Sequence, residues 1–112
     1  MTTEINCLWE ILVPTIRNDG RPIHTRFHRI WDEMVKNISN GLTLMPVVKG
    51  QWGFENKTFK ERMIPVRIIA TRKQIEEIIT MTLEYYDQIE VLAYKISDEV
   101  ILRRQENHEP IK

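Results

Sequence analysis

Glu61, Glu10 and Arg67 are the side chains whose type and placement best suit chemistry. With Trp52 facing Phe59 across a hairpin, Glu61 lies opposite Gly50 and beside the two rings. A carboxylate over a missing side chain, walled by two aromatics, makes a pocket for a cationic or flat ligand. Glu61 is accordingly the one catalytic candidate, with Trp52 and Phe59 as ligand contacts. The plainer reading is a carboxylate at a hairpin tip, paired with Lys49 or Arg62, with the rings packed on a neighbouring subunit. Glu10 stands mid-strand between Leu8 and Leu12, where an acid needs a partner. Arg67 projects from the same face of a strand expected beside it. The pair reads first as a structural ion pair inside an interface. Its sharper reading is part of a ligand cleft, where perturbed ionisation would suit acid–base chemistry.

Tyr94, near a strand end, could line such a cleft, whereas Tyr85 and Tyr86 read as packing. His24, His28 and Asp32 fall at i, i+4, i+8 on one helix edge, but no glutamate occupies the HExxH position between the histidines. That ladder reads as a solvated helix face, and no metal site is assigned. Cys7 has no activating neighbour in sequence and reads as a small buried apolar residue. There is no Walker or GxGxxG loop, and Asn18-Asp19-Gly20 is too short to claim a phosphate. No cofactor is expected.

The chain that positions these groups has 112 residues, enough for one domain over 1–112 with a modest core. Apolar residues make up 42% and charged residues 29%, as in globular proteins. Sixteen basic residues balance sixteen acidic ones, so no bulk field draws in nucleic acid or a membrane. No Lys/Arg run with interleaved aromatics is present, and no nucleic-acid partner is expected. One cysteine excludes a disulfide framework within the chain. The N-terminal residues lack the layout of a signal peptide and no apolar run would span a bilayer, so a cytoplasmic location is expected.

From Asn6 to Ile16, Cys7, Trp9, Ile11 and Val13 alternate with Leu8, Glu10 and Leu12, the pattern of a central strand apolar on both faces. Asp19-Gly20 marks a turn. From about His24 to Ile38 the period changes: Phe27, Ile30, Trp31, Met34, Val35 and Ile38 predict an amphipathic helix. It stops at Asn40-Gly41, residues that tolerate left-handed backbone. Gly41 to Ala70 then reads as a long hairpin closed near Gly53 to Thr58.

Without a bulge, Pro46 would face Pro65 in that hairpin, and the arms should bend or part there. This register groups Ile64, Val66, Ile68 and Ala70 with Met45 and Val47. The opposite face carries Leu42, Leu44, Val48, Trp52, Phe59, Glu61, Met63, Arg67 and Ile69. Thr71-Arg-Lys-Gln74 fits a capping box. It opens a helix with Ile75, Ile78, Ile79, Thr82, Leu83 and Tyr86 inward. A strand follows from Glu90 to Ile96, then a short fifth strand over Glu99 to Arg103. A loose tail is expected over 104–112.

The resulting order, β-α-β-β-α-β with a short appended strand, predicts a ferredoxin-like α+β fold, an antiparallel sheet with two helices on one face. The other face keeps Leu8, Leu12, Leu42, Leu44, Met63 and Ile69. An open apolar face of this kind predicts self-association, as a homotrimer or homodimer packing sheet to sheet.

This layout resembles the PII/CutA-like branch of ferredoxin-like proteins, and the resemblance implies oligomers with ligand sites between subunits. The stretch GLT-x-x-P-x-V-x-G-x-W followed by F-K-E-R is similar to that of a set of small uncharacterised bacterial proteins. A second resemblance is to phage S-adenosylmethionine lyases, carried by Phe59-Lys60-Glu61 and by Val91-Leu92-Ala93-Tyr94-Lys95. It implies an inter-subunit carbon–sulfur lyase site with a glutamate near a sulfonium substrate, although Phe59 stands where those lyases have tyrosine. The leading expectation is thus an oligomeric binding or regulatory protein for a small ligand, near Trp52, Phe59 and Glu61. The alternative is a lyase using Glu61 with Glu10 or Arg67.

Overall fold

The structure, a computed structural model, describes residues 4–106. Strand β1 (Cys7–Pro14) runs into a turn and then helix α1 (Thr25–Ile38). Strands β2 (Leu42–Leu44), β3 (Val48–Phe54) and β4 (Lys57–Ala70) follow, then helix α2 (Arg72–Tyr85) and strand β5 (Ala93–Ser97). The sheet is antiparallel in the order β2-β4-β1-β5, with β3 also paired to β4. This is the ferredoxin-like α+β arrangement expected from the element order.

Alternation along β1 sorts its two faces. Cys7, Trp9, Ile11 and Val13 are buried, while Leu8, Glu10 and Leu12 are only half so. The buried set joins Val66, Ile68 and Ala70 of β4, Trp31 and Val35 of α1, and Ile75 and Ile78 of α2 in one core. Both helices therefore cover the same face. No helix of the described residues is long and apolar enough to cross a membrane.

Two polar groups inside this core are satisfied by one another. The Trp31 indole N–H donates to Thr82 Oγ1 at 3.0 Å, and the Thr82 hydroxyl donates to the Ile78 carbonyl at 2.6 Å. α2 begins as its sequence predicts: Thr71 Oγ1 accepts from the Gln74 amide at 3.2 Å, and Gln74 Oε1 accepts from the Thr71 amide at 2.9 Å. Thr71→Ala should cost about 1 kcal/mol. Its urea midpoint should fall with an unchanged m-value; an unshifted midpoint would show that the cap contributes nothing.

The hairpin departs from the simple register at Pro46. β3 keeps the expected pairing, with Trp52 opposite Phe59 and Gly53 opposite Thr58. β2, however, pairs Leu42 with Ile68 and Leu44 with Val66, one residue out of step with β3. Pro46 has no N–H to give and Pro65 none to return, so the arm divides between Leu44 and Val48. A one-residue slip exchanges faces. Leu42 and Leu44 thus belong to the helix side of the sheet, not to the open face expected for them. The division also creates the fifth strand. Residues 99–103, where an appended strand was expected, form no ladder.

The hairpin closes through Glu55 and Asn56, both with positive φ (51° and 63°), the turn geometry that matches strand twist. α1 ends with Ser39, whose amide and hydroxyl both donate to the Val35 carbonyl. Of the expected stop residues only Gly41 has positive φ, at 146°. Asn40 instead donates its amide to Ile69 and its side chain to Asn6. Of the expected tail, residues 104–106 carry no helix or strand, and 107–112 lie outside the described residues.

Candidate functional site

The open face of the sheet carries a polar row at its centre. Glu10 lies directly opposite Arg67 on one side and Tyr94 on the other, so three strands contribute one residue each. Glu10 has a side chain only 12% exposed. Arg67 Nε donates to its Oε1 at 3.3 Å, and the Tyr94 hydroxyl donates to its Oε2. Both carboxylate oxygens are therefore held. Accepting that bond makes the Glu10 carboxylate the main cause that raises the Tyr94 phenol above its ordinary pKa; burial and the Glu10 charge add to it, and Arg67 opposes it.

Apolar residues flank the row. Leu8 lies opposite Ile69 on one side, and Leu12 opposite Pro65 on the other. None of the four is covered by a helix, since the core lies on the opposite face. A half-buried carboxylate with two fixed donors, set in an apolar surface, can hold a positive charge or pass a proton through the phenol.

The second group of candidates lies on the projecting part of the hairpin. Trp52 and Phe59 stack with ring centroids 4.5 Å apart and planes 17° from parallel, and both are exposed. Glu61 lies opposite Gly50 as expected, and Gly50 leaves space there: a Cβ would meet nothing nearer than Met63 Sδ at 3.8 Å. Glu61 lies six positions before Arg67 on β4, about 20 Å of extended chain. Within one chain the two groups do not meet. The lyase reading that joined Glu61 to Glu10 or Arg67 thus requires two copies.

Two clefts that the sequence did not announce indent the described surface. One, of about 250 Å³, lies where the β1–α1 turn meets the end of α2. Arg17 stands over the Phe27 ring at 4.9 Å there, and Phe27 stacks on Tyr85 at 4.1 Å. The other, of about 330 Å³, has Trp9 and Cys7 in its lining together with Arg72 and Lys95. These cations lie 5.9 and 5.4 Å from the Trp9 ring centroid. Neither cleft includes the expected site residues. Each is assembled from three or more separate segments, and no local sequence signal marks such a meeting.

Of the histidine ladder, His24 is exposed and His28 packs against Tyr86. His28 Nδ1 and the Tyr86 hydroxyl lie 2.6 Å apart, and burial pushes the His28 pKa down. Tyr86 is buried and its phenol is pushed up by that burial. Asp32 on the same helix is raised, by burial first and then by the Glu33 charge. Among the described residues no three His, Cys, Asp or Glu side chains converge well enough to hold a metal ion.

No protein-family model matches the chain, and no curated protein matches it by sequence. Solved structures do match its fold. The periplasmic divalent cation tolerance protein CutA from Archaeoglobus fulgidus aligns with a TM-score of 0.66 at 10% identity, over 88% of this chain and 89% of that one. The divalent cation tolerance protein Cut A1 from Thermus thermophilus aligns at 0.63 and 9%, over 86% and 88%. A phage SAM lyase in complex with S-methyl-5'-thioadenosine aligns at 0.57 and 12%, over 87% and 93%. At such identities the likeness is one of fold. The chain has the ferredoxin-like fold of the CutA proteins, and a phage S-adenosylmethionine lyase shares it.

Proposed function

We propose that the protein is a CutA-like homo-oligomer that binds a small ligand between subunits, acting in the cytoplasm as a single unit of 1–112. The observation that carries this reading is the open sheet face. Leu8, Leu12 and Ile69 surround a carboxylate whose two oxygens are already engaged, on a surface that neither helix of the described residues covers. Such a face is stable in water when a second copy covers it. Packing of that kind lets the Trp52/Phe59/Glu61 arm of one copy approach the Glu10, Arg67 and Tyr94 row of another, closing a site that neither copy holds alone. Stacked rings beside a carboxylate suit a cationic or flat ligand.

The test is binding of a panel of cationic and flat small molecules, S-adenosylmethionine included, to the full chain, followed by mass spectrometry of the recovered compound. Saturable binding that falls at least tenfold in Trp52→Ala and in Glu61→Gln, with the ligand recovered intact, is the expected result. Binding unaltered by both substitutions, or none across the panel, would remove this site.

A second reading rests on the fold shared with the phage lyase. In it the substrate carboxylate attacks its own γ-carbon, the carbon–sulfur bond breaks, and the sulfur keeps the electron pair. S-adenosylmethionine then yields S-methyl-5'-thioadenosine and homoserine lactone. Their appearance in the same incubation, abolished in Glu61→Gln, would put catalysis ahead of simple binding.

A further inference from the structure

The register of the hairpin gives its projecting arm two different faces. Val48, Trp52, Phe59 and Met63 share one with Glu61. The other carries Lys49 directly opposite Arg62 and, one pair further out, Lys60 opposite Gln51. All four of these side chains are exposed. Opposed strand residues hold their Cβ atoms about 5 Å apart. Two residues along a strand add about 7 Å. Three cations thus occupy one small patch. Among the described residues none of the three forms an ion pair; the pairs that exist lie elsewhere. Like charges directly opposite one another destabilise a hairpin. A chain with equal numbers of acidic and basic residues has nonetheless gathered three positive charges here.

We propose that this basic face docks on the phosphodiester backbone of a double-stranded nucleic acid, without reading its sequence. A patch of exposed cations gains affinity from phosphates by releasing their counterions. A two-stranded ribbon is narrow enough to enter the major groove. Unpaired strands are gripped by aromatics and cations together, but here Trp52 and Phe59 lie on the opposite face from Lys49, Lys60 and Arg62, with Lys57 the one cation on their own face of the arm. A lipid surface requires apolar and several basic groups on one side, and the aromatic face of the arm carries a single cation, Lys57, against the carboxylate of Glu61. Gln51 and Thr58 add hydrogen-bonding groups on the basic face. Local sequence conceals the patch, because Glu61 separates Lys60 from Arg62 and their common face emerges only from strand alternation.

The experiment is fluorescence anisotropy of a labelled duplex of arbitrary sequence, titrated with the full chain between 50 and 200 mM salt. Three phosphate contacts give a slope of log affinity on log salt of about −2.7, so affinity should fall roughly 40-fold across that range. Lys49→Gln with Lys60→Gln should flatten the slope by about 2. Lys49→Arg with Lys60→Arg should preserve it, and Arg29→Gln with Lys73→Gln, on the helices, should leave binding unchanged. An absence of salt-sensitive binding would overturn the proposal. So would an unaltered slope in the glutamine pair, or binding to anionic vesicles without binding to the duplex.

Discussion

Trp31→Ala should lower the unfolding free energy by about 3–5 kcal/mol, the range for deleting a large buried ring. Trp31 is 1% exposed and sits among the residues that join both helices to the sheet. Two losses combine in this variant. The cavity forfeits contacts that neighbouring side chains cannot restore by collapsing. Thr82 Oγ1, fully buried, also loses the indole N–H that it accepts. A domain of this size commonly holds only about 5–15 kcal/mol in reserve, so the variant should be largely unfolded well below the wild-type urea midpoint. Trp31→Phe keeps most of the volume and should lie between the two. An unfolding free energy for Trp31→Ala within about 1 kcal/mol of wild type would mean that the two helices are not locked to the sheet through this residue.

Leu12→Lys should separate assembly from folding. Leu12 lies on the open face opposite Pro65, with its amide donating to the Leu92 carbonyl at 3.1 Å. In a single copy its side chain is only half-buried, so a lysine stem can lie along the surface with its ammonium in water. Covered by a second copy, the same ammonium would lose its solvent without a fixed partner. A penalty of about 3 kcal/mol raises a dissociation constant more than 100-fold. The variant should therefore keep the wild-type circular dichroism spectrum and sediment as a single chain. Assembly unchanged from wild type would exclude this face as the interface.

Much of this architecture is legible because its signals are local. The switch from period two to helical spacing near His24, the Thr71–Gln74 box and the Trp52/Phe59 register each depend on residues close in sequence, and each recurs in the structure. The pairing of Glu10 with Arg67 was also accessible, since burying an acid mid-strand demands a cation on the adjoining strand. What alternation could not supply was phase. A single bulge at Pro46 moved Leu42 and Leu44 to the other side of the sheet, and no count of apolar residues registers one unpaired position. Val100, Ile101 and Leu102 are strand material by composition, yet they form no strand pairing among the described residues.

The candidate site was legible as residue types but not as a place. Tyr94 meets Glu10 only because β5 pairs with β1, strands far apart in sequence. The distance along β4 that parts Glu61 from Arg67 follows from strand rise alone, and it makes the expected inter-subunit site a question of assembly.

That question is answered most directly by sedimentation equilibrium of the wild-type chain over a wide concentration series. Sheet-to-sheet packing predicts a species of two or three times the mass of the 13.4 kDa chain. A 13.4 kDa monomer at every concentration would contradict it, because the open sheet face would then have no second copy to cover it and the two residue groups no means of meeting.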